Sequence, residues 1–178
     1  MTDFYRAPPV SWNRIAGMTD AFRRQLNLED TKFFPIMEVL EEILDLRLGL
    51  VRIEVEDDRV MGNVEAFTDP AGEFIRFSQT VYLQACANKV RARWTAAHEA
   101  GHFFLHTREP LARVASEVGL KIFERPELQA HQFAAELLMP RKFIDPSTPV
   151  VEIMRDFGVS EEAAKKRLKF IISLHRNS

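Results

Sequence analysis

Hydrophobic positions along this chain follow first a helical and then an extended rhythm. After an extended arm over Thr2–Val10, where Pro8-Pro9 block a helix, Ser11 is placed to cap a helix from Trp12 to about Leu26. Within Pro35–Leu46, Ile36, Val39, Leu40, Ile43 and Leu44 recur at i, i+3, i+4, i+7 and i+8, the stripe of a helix with one buried face. Pro35 suits the first position of that helix, and Gly49 follows its end. Leu50–Glu56 then alternates Val51, Ile53 and Val55 with Arg52, Glu54 and Glu56, as a half-buried strand does. Met61–Thr68 and Glu73–Phe77 read as strands flanking the turn Asp69-Pro70-Ala71-Gly72. These segments predict a small sheet ending in a hairpin.

Helical spacing returns at Gln79–Ala87, and Asn88 is placed to cap a longer helix running to about Thr107. In that helix Trp94, Ala97, Gly101 and Phe104 fall at i, i+3, i+7 and i+10, a stripe that predicts burial. Gly101 costs about 0.8–1.0 kcal/mol relative to alanine in a helix interior, which close approach of another backbone would offset. Another helix is expected over Pro126–Met139, ended by Pro140, with Ala130, Phe133, Ala134, Leu137 and Leu138 as its buried stripe. Two last helices, Val150–Phe157 and Ser160–Leu174, flank a tight turn at Gly158-Val159.

Composition narrows the class. A chain of 178 residues, 46% of them hydrophobic, suits one domain with one main core. A formal net charge of -2 gives no general pull toward nucleic acid or membrane. The single cysteine, Cys86, excludes an internal disulfide framework and fits a reducing compartment. No apolar run approaches the ~18 residues of a membrane span, and MTDFYRAPPVSW lacks a basic start followed by an apolar stretch. A cytoplasmic location is expected.

The chemistry concentrates in His98-Glu99-Ala100-Gly101-His102. Histidines four apart on a helix differ by only about 40° around its axis, so both imidazoles can reach one zinc ion. Glu99 lies between them in angle, close enough to handle a proton of an activated water without ligating the metal. Catalytic zinc takes three protein ligands and keeps a position open, so a third ligand must come from elsewhere. His106 lies two turns from His98, about 12 Å along the axis, and reads as a helix-end residue. Cys86 is a conceivable thiolate, although a buried free cysteine more often only packs. Glu127 and His131 share one face of the Pro126–Met139 helix beside its apolar stripe, whereas Glu136 points about 180° away and reads as solvated surface. Glu127 is the better third ligand. His131 could orient a ligand, donate to the substrate, or be a satisfied boundary histidine. His131 and Tyr82 are the candidates for a second oxyanion donor, Tyr82 being equally a core aromatic.

The strings RARWTAAHEAGH, ELQAHQFAAELLMP and DFGVSEEAAKKRL together resemble the ImmA/IrrE family of zinc metallopeptidases, from about Glu73 to Leu174. Arg93, Trp94, Thr95, Ala97 and His98 through His102 match the family's RFTLAHELGH-like segment. Glu127, Ala130, Phe133, Ala134, Ala135, Leu137, Leu138, Met139 and Pro140 match ExxANxFAAxLLMP. The resemblance implies His98, His102 and Glu127 as zinc ligands and Glu99 as the catalytic glutamate. It departs from the family at His131, where asparagine is usual, at Gln129 for a common glutamate, and at Ala100 for a common leucine. The implied fold is α+β, a zincin-like metallopeptidase domain whose small sheet packs against the HExxH helix. Its single domain would divide into an arm and helices (1–49), sheet (50–78), active-site helices (79–140) and a C-terminal helix pair (141–178).

Family members typically cleave a helix-turn-helix repressor or antitoxin encoded nearby, in stress responses, toxin–antitoxin pairs or mobile elements. The implied function is therefore a zinc endopeptidase acting on such a partner. The alternative is a zinc-stabilised module that binds the repressor without cutting it; Glu99 argues against this, because a structural zinc site has no use for a proton acceptor beside an open position. Substrate is expected to add as a strand along Glu73–Phe77. Direct DNA binding by the C-terminal pair is not expected. Glu161 and Glu162 would open its second helix, where a recognition helix meets bases, and Lys165, Lys166, Arg167 and Lys169 follow as a solvated or partner-facing basic run.

Overall fold

The arm that opens the chain is extended, and β1 (Phe4–Arg6) pairs antiparallel with a distant strand, β5 (Ala112–Val114). The computed structural model describes residues 4–107, 111–114, 116 and 118–176; Thr2 and Asp3 of the expected arm lie outside them. Ser11 caps α1 (Trp12–Gln25) by accepting the Arg14 amide, as its position predicts. Next, α2 (Ile36–Glu38) widens into a π-type segment over Val39–Arg47, with Ile36, Val39, Leu40 and Leu44 buried.

The sheet departs from expectation in one element. Asp57 accepts the Arg59 amide and caps a one-turn helix, α3 (Asp58–Met61), so the expected strand over Met61–Thr68 shrinks to β3 (Ala66–Thr68). The strands β2 (Arg52–Glu56) and β4 (Phe74–Ser78) run parallel, and β3 pairs antiparallel with β4 across the Asp69–Gly72 turn. Strand order is β2-β4-β3. The predicted substrate edge at Glu73–Phe77 is thereby overturned. Phe74–Phe77 lie in the central strand, whose backbone groups are taken by ladders on both sides.

After α4 (Gln79–Cys86), Asn88 takes a left-handed conformation (φ 57), and its amide donates to the Ala85 carbonyl. It therefore closes α4, a conformation asparagine tolerates, and does not cap the next helix. Lys89 is the cap of α5 (Val90–His106), while the Asn88 side chain accepts from Arg93 Nη1. Pro126 opens α6 (Pro126–Leu138), and α7 (Val150–Phe157) turns through left-handed Gly158 into α8 (Glu161–Arg176). The product is an α+β arrangement in which β3 and α6 both pack on α5, and α1 covers another side of α6. Ala92, Ala96, Ala97 and Ala100 keep α5 slender where it enters the core. Among the described residues no helix is long and apolar enough to cross a membrane.

Candidate metal centre

Helix α5 carries His98 and His102 one turn apart, and their Nε2 atoms lie 3.0 Å from each other. Glu127 stands in the first turn of α6, its carboxylate oxygens 3.2 Å from His98 Nε2 and 3.4 Å from His102 Nε2. A tetrahedral ion with ligands at 2.0–2.1 Å separates those ligands by roughly 3.3–3.4 Å, close to the spacings here. Two imidazole nitrogens and a carboxylate oxygen converging at these distances therefore fit a divalent cation. Glu127 is exposed, so among the described residues its carboxylate is accessible to solvent.

Electrostatics follow the same convergence. Hydrogen bonds from His102 and then His98 hold the Glu127 carboxyl well below the usual range. Burial works against a charged His102, but Glu127 and Glu99 outweigh it and raise its pKa. At His131 burial lowers the pKa, and the neighbouring His98 lowers it further.

Glu99 is buried beside the two histidines, and its Oε2 accepts from Thr68 Oγ1 at 2.8 Å. The same hydroxyl lies 3.0 Å from the Glu99 carbonyl, so β3 fixes this carboxylate from the sheet side. His98, Glu99 and His131 all line a cleft of about 930 Å³, whose walls include Trp12, Trp94, Met139 and Phe170. The His131 ring lies 4.5 Å from that of His98, tilted by 52°, with Trp94 at 6.2 Å.

Other sequence-derived candidates are not brought together here. Tyr82 donates from its hydroxyl to Glu41 Oε1 at 2.6 Å and is not among the residues lining the cleft. Its side chain is turned toward the Val39–Arg47 segment, which removes it as an oxyanion donor. Cys86 is exposed rather than buried, and burial of its immediate surroundings pushes its thiol up.

Glu136 is the largest reversal: it is 1% exposed, not solvated surface. Its Oε1 accepts from Arg141 and Gln132, and its Oε2 accepts from Arg167 Nη2 at 2.5 Å. Arg167, expected in a basic solvated run, is equally buried, with Nε donating to the Met139 carbonyl at 2.8 Å. This buried pair pins α8 to α6, and α8 thereby forms a wall of the cleft.

Sequence reasoning also missed the part that Thr68 and His106 play in supporting the centre. Thr68 left no local signal, since only the hairpin brings it under Glu99. His106, set aside as a helix end, is buried, with Nδ1 3.0 Å from His102 Nδ1 and Nε2 2.8 Å from Gln129 Oε1. Burial lowers its pKa to about 4. The four-residue step from His102 to His106 was a readable signal for that contact.

A family model described as Peptidase_M78, IrrE N-terminal-like domain, matches residues 53–169. No curated protein matches the chain.

Proposed function

The chain belongs to the Peptidase_M78 family of IrrE N-terminal-like domains, and from that premise we propose that it is a zinc-dependent endopeptidase. We assign residues 1–178 to one zincin-like domain, with His98, His102 and Glu127 as the metal ligands. The observation that carries this reading is the convergence of those three donors beside a buried carboxylate, Glu99, which with His98 lines an open cleft. Zinc held there supplies Lewis acidity, polarising a peptide carbonyl and lowering the pKa of a water to roughly 7.

The protein's own residues do the rest. Thr68 engages Glu99 Oε2, leaving Oε1 to take the proton of the attacking water and return it to the departing amine. Thr68 thereby fixes the orientation of the Glu99 carboxylate. His131, on the cleft wall against His98, takes the second contact to the developing oxyanion in place of Tyr82. Substrate adds as a strand to β3, an edge strand. Ala66 of that strand lines the cleft.

The substrate we propose is a helix-turn-helix repressor or antitoxin encoded nearby, in a cytoplasmic stress response, toxin–antitoxin pair or mobile element. The C-terminal pair has no DNA-reading role in this scheme: Glu161 and Glu162 open α8 and pair with Lys165 and Lys166. The test is to incubate the repressor from the neighbouring gene with zinc-loaded wild type and with Glu99→Gln. Cleavage by the first and none by the second is expected. Equal cleavage by both, or intact repressor with active-site zinc present, would refute the proposal.

A further inference from the structure

Gln129 is fully buried, and both ends of its amide are fixed by what they face. Nε2 lies 2.8 Å from the Pro8 carbonyl and 2.7 Å from the Phe123 carbonyl. Both neighbours only accept, so the NH2 group belongs on that side; the flipped amide would oppose oxygen to oxygen twice. Oε1 is thereby turned to His106 Nε2, 2.8 Å away, and can only accept. The proton must then sit on His106 Nε2, which leaves its Nδ1 as a lone pair. That lone pair faces His102 Nδ1 at 3.0 Å.

We infer that Gln129 and His106 form a relay that orients His102, holding a proton on its Nδ1 and so presenting Nε2, the atom that faces Glu127 and His98, as the nitrogen for a metal. The relay rests on the metal-site reading given above, and it makes His106 and Gln129 positioning residues rather than ligands. A ring free to flip or to shift its proton offers the wrong nitrogen part of the time; a donor–acceptor chain removes that loss. The two histidines of the centre differ in this respect. His98 Nδ1 is buried with no hydrogen-bond partner among the described residues, so His102 is the ligand held in advance. The chain of bonds ends on the Pro8 carbonyl, next to Ala7, whose amide donates to the Glu124 carbonyl. The described part of the arm, residues 4–10, therefore anchors the centre although none of these residues is a donor to it.

Two substitutions at one position separate this role from packing. Asparagine at 106 returns an acceptor oxygen near the place of Nδ1, and leucine does not. The imidazole nitrogen shifts of metal-free full-length protein, measured by NMR, report the His102 tautomer directly. Zinc affinity, measured by competition with a chromophoric chelator, reports its consequence. The expected results are a protonated His102 Nδ1 in wild type and a loss of about 10–100-fold in zinc affinity in His106→Leu. His106→Asn should recover most of that loss, while thermal unfolding of the metal-free variants shows both folded. An unprotonated His102 Nδ1, or equal zinc affinity in folded His106→Leu and wild type, would overturn the relay. Wild type that takes up no zinc would instead sink the metal-site reading, and the tautomer measurement then decides the relay alone.

Discussion

Gly101 and Ala130 touch backbone to backbone: a Cβ built on Gly101 would lie 3.0 Å from both the Cα and the carbonyl oxygen of Ala130. This contact sets the distance between α5, with two of the candidate ligands, and α6, with the third. The helical cost of glycine at that position is offset by an approach no other residue permits. Gly101→Ala should therefore destabilise the fold by about 1–3 kcal/mol, the usual range for overpacking, despite alanine's better helix propensity. Urea unfolding measures the loss. Zinc affinity should fall with it, because Glu127 would be pushed away from the two histidines.

Removing the third ligand should separate metal binding from folding. Glu127→Ala should lose tight zinc binding while its metal-free form stays folded. Wild type should gain about 2.7 kcal/mol of stability at free zinc one hundred times the Kd, seen as a thermal shift that the variant lacks. An equal shift in both proteins would exclude Glu127 as a ligand.

Glu99→Gln keeps the size of the side chain and an acceptor for Thr68, but cannot take a proton. Zinc content should stay near that of wild type, and the cleavage rate should fall by at least about 10²–10⁴-fold. Metal analysis and a single-turnover cleavage assay check the two halves of this expectation separately.

Zinc uptake should weaken in acid earlier than an ordinary histidine site. Glu127 and Glu99 outweigh burial and raise the His102 pKa above 6.5, so the proton competing with the metal is held more tightly. Below that raised value affinity should fall roughly tenfold per pH unit for each proton displaced. The His102 contribution to the metal-free fold has the opposite dependence. His102 protonation stabilises it below 6.5, and that contribution disappears as pH rises through the raised folded value. Zinc titrations across pH 5–8 measure the first slope; the difference in metal-free unfolding between wild type and His102→Gln isolates the second, because the lowered His106 and His131 pKa values act the other way in the same window.

Glu136→Ala should leave Arg167 buried without its carboxylate. Breaking one side of such a pair costs about 3–5 kcal/mol, so the variant should unfold at much lower urea. Zinc per folded chain should not change, since Glu136 holds α8 rather than the metal. Unchanged stability would show that Arg167 finds another partner.

Some of this centre was legible in the sequence because helical periodicity depends only on the chain itself. The four-residue step places His98 and His102 on one face whatever surrounds them. The position of Glu127 at the start of its helix, after Pro126, likewise follows from local rules. The same local rules found the hairpin turn, the Ser11 cap and the close approach at Gly101. They misplaced Glu136 because an angle around an axis says nothing about what packs on that side. Helix α6 is covered by α5 on one face and by α1 and α8 on others, so its supposed solvent face is interior.

Tertiary structure alone decided the remaining parts of the site. Thr68 reaches Glu99 only because β3 lies against α5. Tyr82 leaves the site because its hydroxyl finds Glu41. Glu73–Phe77 fails as a docking edge because β2 and β3 occupy both sides of β4. Each is a contact between segments far apart in sequence, set by how buried faces and hydrogen-bonding groups are satisfied together. The sequence by itself determined which residues could bind a metal and move a proton; packing determined what holds them there.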